Sequence, residues 1–404
     1  MTQQSAWRWI VGGLFFIFLG YLAGTLSNPS PDTAVGLLEI VVFCFLFRII
    51  QGRYEKNNSL SGDEHSPAET QRDSVIVLLL SLALITIKLS SIAFALTCMS
   101  LVIYFQFIDY QRYIKTYNRQ HKFFFKLFVL MVCISVIHIV RGYLLSGAPF
   151  FPSTFAGAWG LDWAVLKEFA EFELSFIYSW ARDPNAMTPG AVLGHWGWIS
   201  EWLKTISLFE MLWMVIASLL MFFNLVLAIS SNRLKDNRLY ICLYLPIIAA
   251  FIFWFLTAPS VRFLGAVPVL YLALSVWLFY IIVGKKNTNR VTSLIMVTSQ
   301  RYPFYCWIAV LIICFFSLKS TGLRSLSLHG WADIPQPSLI IEKTLTDLPV
   351  NVPTINGQCW DAPLPCASVF NGNLHADPIT LNLPLTVLNI KRFFYSVKFL
   401  NLPK

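Results

Sequence analysis

Charged side chains are scarce in this sequence of 404 residues. Asp, Glu, Lys and Arg together make up 13% of the chain and hydrophobic residues make up 56%, whereas soluble domains contain about 25% charged and about 45–50% apolar residues. A soluble core cannot bury so much apolar surface, so the composition excludes an ordinary soluble domain. It predicts a polytopic membrane protein.

The sequence also lacks the short motifs of several enzyme classes. It contains no G-x-x-x-x-G-K-[ST], no H-E-x-x-H, no G-x-S-x-G and no C-x-x-C. Nucleotide hydrolysis, zinc proteolysis, serine hydrolysis and thioredoxin-like redox chemistry therefore have no motif in this chain. We predict no metal site, and the sequence leaves any cofactor unknown.

Nine apolar runs approach or reach the roughly 17 to 25 residues that a membrane-spanning helix needs. They lie at about 8–26, 34–50, 74–88, 90–108, 123–145, 206–229, 239–257, 263–284 and 292–317. Lys and Arg collect in loops on alternate sides of these runs, which marks those loops as cytoplasmic. The N-terminus is then predicted in the cytoplasm and the C-terminus outside it. These loops account for the net charge of +9, and we predict no nucleic-acid binding because no basic stripe with stacking aromatic residues lies outside the spans.

The predicted fold class is an all-α polytopic membrane protein with about nine transmembrane helices, an extracytoplasmic loop region and a small C-terminal extracytoplasmic domain of mixed or β character. Short alternating stretches such as LTVLNI and FYSVKF predict strands in that domain. In chain order the predicted segments are two transmembrane helices (1–50), a polar, disordered cytoplasmic linker (51–73), transmembrane helices (74–145), a Trp-rich extracytoplasmic loop (146–205), transmembrane helices (206–318) and the C-terminal domain (319–404).

The extracytoplasmic loop holds six of the 14 tryptophans. In its stretch WAVLKEFAEFELSFIYSW, apolar residues recur at helical spacing with charges between them, which predicts an amphipathic helix in the membrane interface. Two interpretations of the aromatic residues stay open. They anchor the loop in the interface, or they form a platform on which sugar rings stack, with Trp163 and Trp180 as candidates.

Two cysteines, Cys359 and Cys366, lie in the polar stretch CWDAPLPC. If this segment is extracytoplasmic, a disulfide between them is favoured, because oxidising compartments permit it. Two free thiols remain an alternative. A metal site would need two further ligands, and His375 is the one obvious candidate nearby.

Three basic residues, Lys88, Arg141 and Arg262, fall at the extracytoplasmic ends of predicted spans. Cations at one headgroup level suit a lipid or sugar phosphate, and Arg is favoured for bidentate phosphate contacts. The alternative is that these side chains extend to ordinary lipid headgroups.

Three carboxylates on the same side, Asp32, Asp162 and Glu168, are candidate general bases for transfer of a sugar to a hydroxyl. No motif surrounds any of them. Asp32 follows Ser and Pro, which also fits a turn or the cap of the next helix.

Several stretches together resemble an uncharacterised family of bacterial polytopic membrane proteins, which in turn is similar to the glycosyltransferase-C superfamily. They are SNPSPDTAV, TIKLSS, RGYLLSGAPFFPSTF, LDWAV, SWARDP, FLTAPSVRF and QCWDAPLPC. The resemblance implies a helical bundle in the bacterial inner membrane that moves a sugar from a polyprenyl-phosphate donor, with a loop carboxylate as base. It assigns phosphate binding to Arg262 in APSVRF and to Arg141 in RGYLLSGAP. Against members with further N-terminal spans and an acidic first external loop, this chain looks N-terminally short, which implies an incomplete or inactive enzyme.

The leading hypothesis is a membrane-embedded glycosyltransferase-like protein that acts on polyprenyl-phosphate-linked sugars in cell-surface glycan assembly, with membrane lipid and the lipid-linked sugar as partners. One alternative is a polysaccharide polymerase or a lipid-linked oligosaccharide transporter, for which Glu39 and Glu210 would have to face an aqueous cavity. The other alternative is a non-catalytic membrane scaffold.

Overall fold

The chain forms two compact units, one of Met1–His138 with Phe172–Leu323 and one of Ile139–Glu171 with Arg324–Lys404. The computed structural model describes residues 31–58, 67–112, 118–161, 164–185, 188–206, 208–230, 239–284, 337–343, 347, 349–354, 363, 366, 374–376 and 394–396. The predicted spans at about 8–26 and 292–317 lie outside these residues.

The described part of the chain is mostly helical. The α-helices are α1 (Asp32–Asn58), α2 (Pro67–Ile87), α3 (Ile92–Arg112), α4 (Asn118–Ser146), α5 (Lys167–Arg182), α6 (Ile199–Thr205), α7 (Leu208–Ser230), α8 (Tyr244–Thr257) and α9 (Val267–Gly284). Short 3-10 helices lie at Leu89–Ser91, Pro189–Ala191 and Val261–Leu264.

Five helical segments are long and apolar enough to cross a membrane. They are Asp32–Tyr54, Ala68–Ile87, Leu89–Asp109, Phe125–Ser146 and Leu239–Thr257. Met214–Val226 and Val267–Phe279 are shorter apolar helical segments. The predicted helical fold is thereby confirmed, and the long apolar helices are compatible with the predicted multi-pass membrane protein.

Helix α1 lies inside the first unit, packed against α2, α3 and α9. Its Phe43, Leu46, Phe47 and Ile50 are fully buried, as expected for a helix that is apolar on all sides and enclosed by others. The ring of Phe47 meets the ring of Trp277 on α9 edge-on, with 4.7 Å between centroids. This aromatic contact fixes α1 against α9.

Helix α4 has an equally apolar sequence and the opposite environment. Phe125, Phe128 and Ile137 leave 68%, 63% and 67% of their surface exposed. Such exposure of large apolar side chains is unfavourable in water and favourable in lipid. The described side chains of α4 therefore fit a lipid-facing helix.

Both ends of the segment predicted as a cytoplasmic linker, 51–73, are helical. Helix α1 continues to Asn58 and α2 begins at Pro67. The charges in these turns have helical partners: Arg53 pairs with Asp109 on α3, and Oδ2 of Asp73 lies 3.2 Å from Nε of Arg48 on α1. These ion pairs stabilise the polar helical turns. Helices α1 and α2 therefore extend beyond the ends that the apolar pattern predicts.

The second unit contains two small antiparallel sheets. Strand β1 (Leu339–Lys343) pairs with β2 (Pro349–Pro353), and β3 (Leu374–Ala376) pairs with β4 (Phe394–Ser396). Strand β4 lies in the stretch FYSVKF, whereas LTVLNI lies outside the described residues. The described C-terminal residues thus include β structure.

Cysteine pairing in this unit agrees in part with the sequence interpretation. Cys366 is disulfide-bonded and forms an isolated bridge with Asn351. Cys359 lies outside the described residues, so the pairing of Cys366 with Cys359 stays a prediction.

Candidate functional site

Three points where helices begin or end bring one carboxylate and two cations together. Asp32 is the first residue of α1, Lys88 follows α2, and Arg262 lies in the 3-10 helix between α8 and α9. Nε of Arg262 donates a hydrogen bond to Oδ2 of Asp32 over 2.6 Å, and Nζ of Lys88 donates to Oδ1. All three residues belong to the first unit.

The local sequence explains why these residues lie outside regular helix or at its end. An aspartate in the first turn of a helix is stabilised by the exposed N–H groups and the positive end of the helix dipole. Lys88 is in an extended conformation, with φ −150° and ψ 118°, between α2 and Leu89–Ser91. Pro259 follows the end of α8, where a residue without an N–H group cannot continue the helix.

The described side chains of the site have a net positive charge and leave one side open. Two cations and one carboxylate among them give a charge of +1. The side chains of Asp32 and Lys88 are 8% and 15% exposed, whereas that of Arg262 is 53% exposed. Nζ of Lys88 lies 4.9 Å from the ring centroid of Phe263, a distance at which a cation is attracted to an aromatic face. The guanidinium group of Arg262 is therefore the accessible cation.

Only part of the Arg262 guanidinium is used inside the protein. Its Nε makes the bond to Asp32, and within the described ranges its terminal amino groups donate no hydrogen bond. A planar guanidinium held at one edge presents its other donors in a fixed direction. This geometry suits an anion with several acceptor oxygens.

A second carboxylate on α1, Glu39, binds the segment that follows α2 and the residue that precedes α9. It is 1% exposed and accepts hydrogen bonds from Oγ of Ser91 and from the backbone N–H of Ala266, both over 2.8 Å. Ala266 directly precedes α9, so Glu39 satisfies a donor at the N-terminal end of that helix. Gly265 has φ +55°, and a Cβ atom there would overlap Oε2 of Glu39. Glu39 is thus enclosed by its partners.

The described tryptophans of the predicted extracytoplasmic loop divide into buried and exposed groups. Trp198 and Trp202 are 5% and 8% exposed, whereas Trp180 and Trp196 are 39% and 61% exposed. Nε1 of Trp202 donates to the carbonyl oxygen of Pro259 over 2.6 Å. The buried pair therefore packs inside the first unit, and Trp202 holds the chain that leads to Arg262.

Arg182 is a residue of this region that the sequence patterns did not single out. It is 9% exposed and donates hydrogen bonds to the carbonyl oxygens of Tyr178 and Leu256, over 2.8 and 2.9 Å. Burial lowers the pKa of the Arg182 guanidinium and raises the pKa of the Tyr178 hydroxyl. The clue in the sequence was a charged residue at the end of an amphipathic helix.

The amphipathic pattern of α5 agrees with its exposure. Phe169, Phe172, Phe176 and Trp180 recur on one side and are 38%, 54%, 48% and 39% exposed. Ala170 and Ser179 are buried. The helix therefore has an exposed aromatic stripe, and its position in the membrane interface stays a prediction.

The remaining predicted site residues are not brought to Asp32 by the described contacts. Arg141 and Glu168 are exposed and belong to the second unit. Asp162 and Trp163 lie outside the described residues, as does the side chain of Glu210. Within the described ranges, no group of three or more His, Cys, Asp or Glu residues is placed to hold a metal ion.

Comparison with known proteins identifies a family and no function. No curated protein and no solved structure matches the chain. A family model described as a domain of unknown function (DUF8201) matches residues 1–269. The match covers well over half of the 404 residues and includes Asp32, Lys88 and Arg262. The chain therefore belongs to the DUF8201 family.

Proposed function

We propose that this chain is a glycosyltransferase-like protein that binds a polyprenyl-phosphate-linked sugar at the site formed by Asp32, Lys88 and Arg262, and that it serves cell-surface glycan assembly. In this proposal the chain crosses the bacterial inner membrane about nine times, with its N-terminus in the cytoplasm and its C-terminus outside. The observation that carries the proposal is the convergence of Lys88 and Arg262 on one carboxylate, with the guanidinium group left accessible.

The position of the site along α1 suits the phosphate of a membrane lipid. The apolar segment Asp32–Tyr54 has 23 residues, which at about 1.5 Å per residue extend over roughly 34 Å. The hydrocarbon core of a bilayer is about 30 Å thick. If α1 crosses the membrane, Asp32 and its two cations lie at the level of the headgroups, where a lipid carrier has its phosphate.

The roles of the three side chains follow from their contacts. Arg262 offers its remaining donors to the phosphate oxygens, and Lys88 adds a second positive charge beside them. Positive groups fixed before the reaction stabilise the charge of a departing lipid phosphate. Both oxygens of Asp32 already accept hydrogen bonds from these cations, which favours a positioning role over the general-base role. We therefore expect the base among the loop carboxylates Asp162 and Glu168.

The enclosed position of Glu39 weighs against the transporter alternative. Transport needs polar groups that line a route through the bilayer. Glu39 is instead buried, and its two carboxylate oxygens accept hydrogen bonds from Ser91 and Ala266. This carboxylate stabilises the bundle and has no access to a water-filled path among its described neighbours.

Equilibrium binding tests the proposal directly. The full chain is placed in nanodiscs of neutral phosphatidylcholine and titrated with a radiolabelled polyprenyl-phosphate hexose. We expect saturable binding that Arg262→Gln weakens about tenfold or more, because a hydrogen bond to a charged group is lost. Arg72→Gln is the matched control, since the side chain of Arg72 is 58% exposed and also lies beside an aspartate, Asp73. It should leave binding unchanged.

Each other outcome has a defined meaning. Absence of saturable binding, or equal weakening by both substitutions, would overturn the proposed site. Equal binding of phosphatidylglycerol would show a site for ordinary headgroups. Tight binding of the donor without release of its sugar to water or to any added glycan acceptor would favour the non-catalytic scaffold over the transferase.

A further inference from the structure

We infer that Trp202, together with Trp254 and Arg182, positions Arg262. These side chains donate hydrogen bonds to the backbone carbonyl groups of Leu256, Pro259 and Ser260, which precede Arg262 in the chain. This inference rests on the proposed function in one respect, namely that Arg262 binds the phosphate. We call these three side chains the carbonyl clamp.

The carbonyl clamp acts on a short segment of irregular backbone. Nη2 of Arg182 donates to the carbonyl oxygen of Leu256 over 2.9 Å. Nε1 of Trp202 donates to that of Pro259 over 2.6 Å, and Nε1 of Trp254 to that of Ser260 over 2.7 Å. Three side-chain donors thus bind three carbonyl groups within five residues.

Such a segment needs external partners because its own backbone cannot supply them. The last carbonyl groups of a helix have no intrahelical donor, and Pro259 contributes no N–H group. An N–H group from a neighbouring side chain removes the cost of leaving a buried carbonyl unsatisfied. The clamp therefore determines where the chain leaves α8.

The point at which the chain leaves α8 determines the position of Arg262. Only Val261 separates Ser260 from Arg262, and the backbone N–H of Phe263 donates to the carbonyl oxygen of Ser260 over 2.9 Å. The same carbonyl group thus links the clamp to the 3-10 helix that carries the guanidinium. A binding side chain must be held to within about 0.5 Å by the residues around it to keep its geometry.

The clamp residues belong to one packed aromatic cluster. The Trp202 ring lies 5.8 Å from the rings of Trp198, Trp254 and Phe255. The guanidinium carbon of Arg182 lies 5.2 Å from the ring of Trp198. Packing alone would explain why these rings are buried, but it does not require two indole N–H groups to converge on neighbouring carbonyl groups.

Trp198 provides the matched control. It is as buried as Trp202, at 5% against 8% exposure, and it packs against the same Phe255 ring. Among the described contacts, however, its indole donates no hydrogen bond to the segment before Arg262. Replacing either tryptophan by phenylalanine removes part of a buried ring, and only Trp202→Phe removes a clamp donor.

Backbone hydrogen exchange, measured by mass spectrometry on the full chain in nanodiscs, tests the clamp without any ligand. Trp202→Phe should accelerate exchange in the peptide that covers residues 258–266, and Trp198→Phe should not. Trp254→Phe is the second variant and should accelerate exchange in the same peptide. The inference is wrong if Trp198→Phe and Trp202→Phe accelerate exchange there equally, or if neither does.

A double-mutant cycle tests whether the clamp acts through Arg262. With the labelled polyprenyl-phosphate hexose as probe, Trp202→Phe should weaken binding about threefold to tenfold, the effect of one lost neutral hydrogen bond. In the Arg262→Gln background the same substitution should have less than about a twofold effect. A merely structural role for Trp202 would weaken binding equally in both backgrounds, and that result would overturn the inference.

The two measurements separate this inference from the proposed function. If the unchanged protein binds no probe while Trp202→Phe still accelerates exchange at 258–266, the proposed function fails and the positioning of Arg262 stands. If the probe binds and the cycle shows no coupling between the two residues, the proposed function stands and the positioning role fails.

Discussion

At the scale of single residues, Asp32 forms ion pairs with both cations of the site. It separates two cations that would otherwise face each other at a partly buried position. Two like charges in a poorly hydrated environment repel each other strongly. Asp32 therefore stabilises both the site and the junction of α1 with the other helices.

Loss of this charge should lower stability. We expect Asp32→Asn to reduce the free energy of unfolding by about 1–3 kcal/mol, less than for a fully buried pair because Arg262 is half exposed. Denaturant unfolding in bicelles measures this change. The control is Glu201→Gln, which breaks an exposed pair with Lys204 and should cost less than about 1 kcal/mol. Equal effects of the two substitutions would contradict the prediction.

Gly265 is required by both its backbone conformation and its neighbour. With φ +55° and no space for a Cβ atom beside Glu39, alanine at this position should cost about 1–3 kcal/mol of unfolding free energy. Gly190→Ala is the control, because no atom lies within 4 Å of the added Cβ. Thermal unfolding of the two variants should differ by several degrees, and similar midpoints would show that Glu39 moves without cost.

At the scale of elements, the apolar runs predicted the existence and type of most described helices and misplaced several polar ends, such as the C-terminal end of α1. The ends depend on pairs that join distant turns, such as Arg53 with Asp109, and periodicity contains no information about such pairs. The environment of a helix was also unpredictable from its own sequence. Helices α1 and α4 each contain a long apolar stretch, yet Phe47 is buried and Phe128 is exposed.

The difference between these two helices gives a matched test of core and lipid-facing positions. Leu46 on α1 is fully buried and Leu130 on α4 is 47% exposed. We expect Leu46→Ala to cost about 2–5 kcal/mol of unfolding free energy because it leaves a cavity. Leu130→Ala should cost less than about 1 kcal/mol, since lipid fills the space. A large effect of Leu130→Ala would mean that a protein surface covers α4.

At the scale of the whole molecule, charged pairs lie at both ends of the apolar α1 segment Asp32–Tyr54. Asp32, Lys88 and Arg262 lie at one end of the α1 segment, and Arg53 with Asp109 at the other. From Ile40 to Phe47 α1 is entirely apolar, and the charged residues between the two ends are the enclosed Glu39 and, near the second end, Arg48, which pairs with Asp73. This distribution is the one expected for a helix that crosses a bilayer.

The two ends should be accessible from opposite sides of the membrane. In a background with all eight native cysteines replaced by serine, we expect Arg262→Cys to react with a membrane-impermeant maleimide added from outside the cell. Arg72→Cys should react only in inverted vesicles. Labelling of both positions from one side would contradict the predicted topology and, with it, the headgroup position of the site.

The candidate site was only partly predictable from the sequence. Lys88 and Arg262 were selected because each follows an apolar run on the same predicted side, and the structure does bring them together. Asp32 was predicted on that side but in a different role, because no pattern shows that one of its partners lies 230 positions away. Likewise, no pattern separates buried indoles such as Trp202 from exposed ones such as Trp196.

That separation of 230 positions has a consequence for biosynthesis. Ribosomes add about 5–20 residues per second, so roughly 10 to 50 seconds pass between the emergence of Asp32 and that of Arg262. During this interval the carboxylate lacks its contact with Arg262. The proposed anion site is therefore completed by Arg262 late in synthesis, after most of the first unit has been translated.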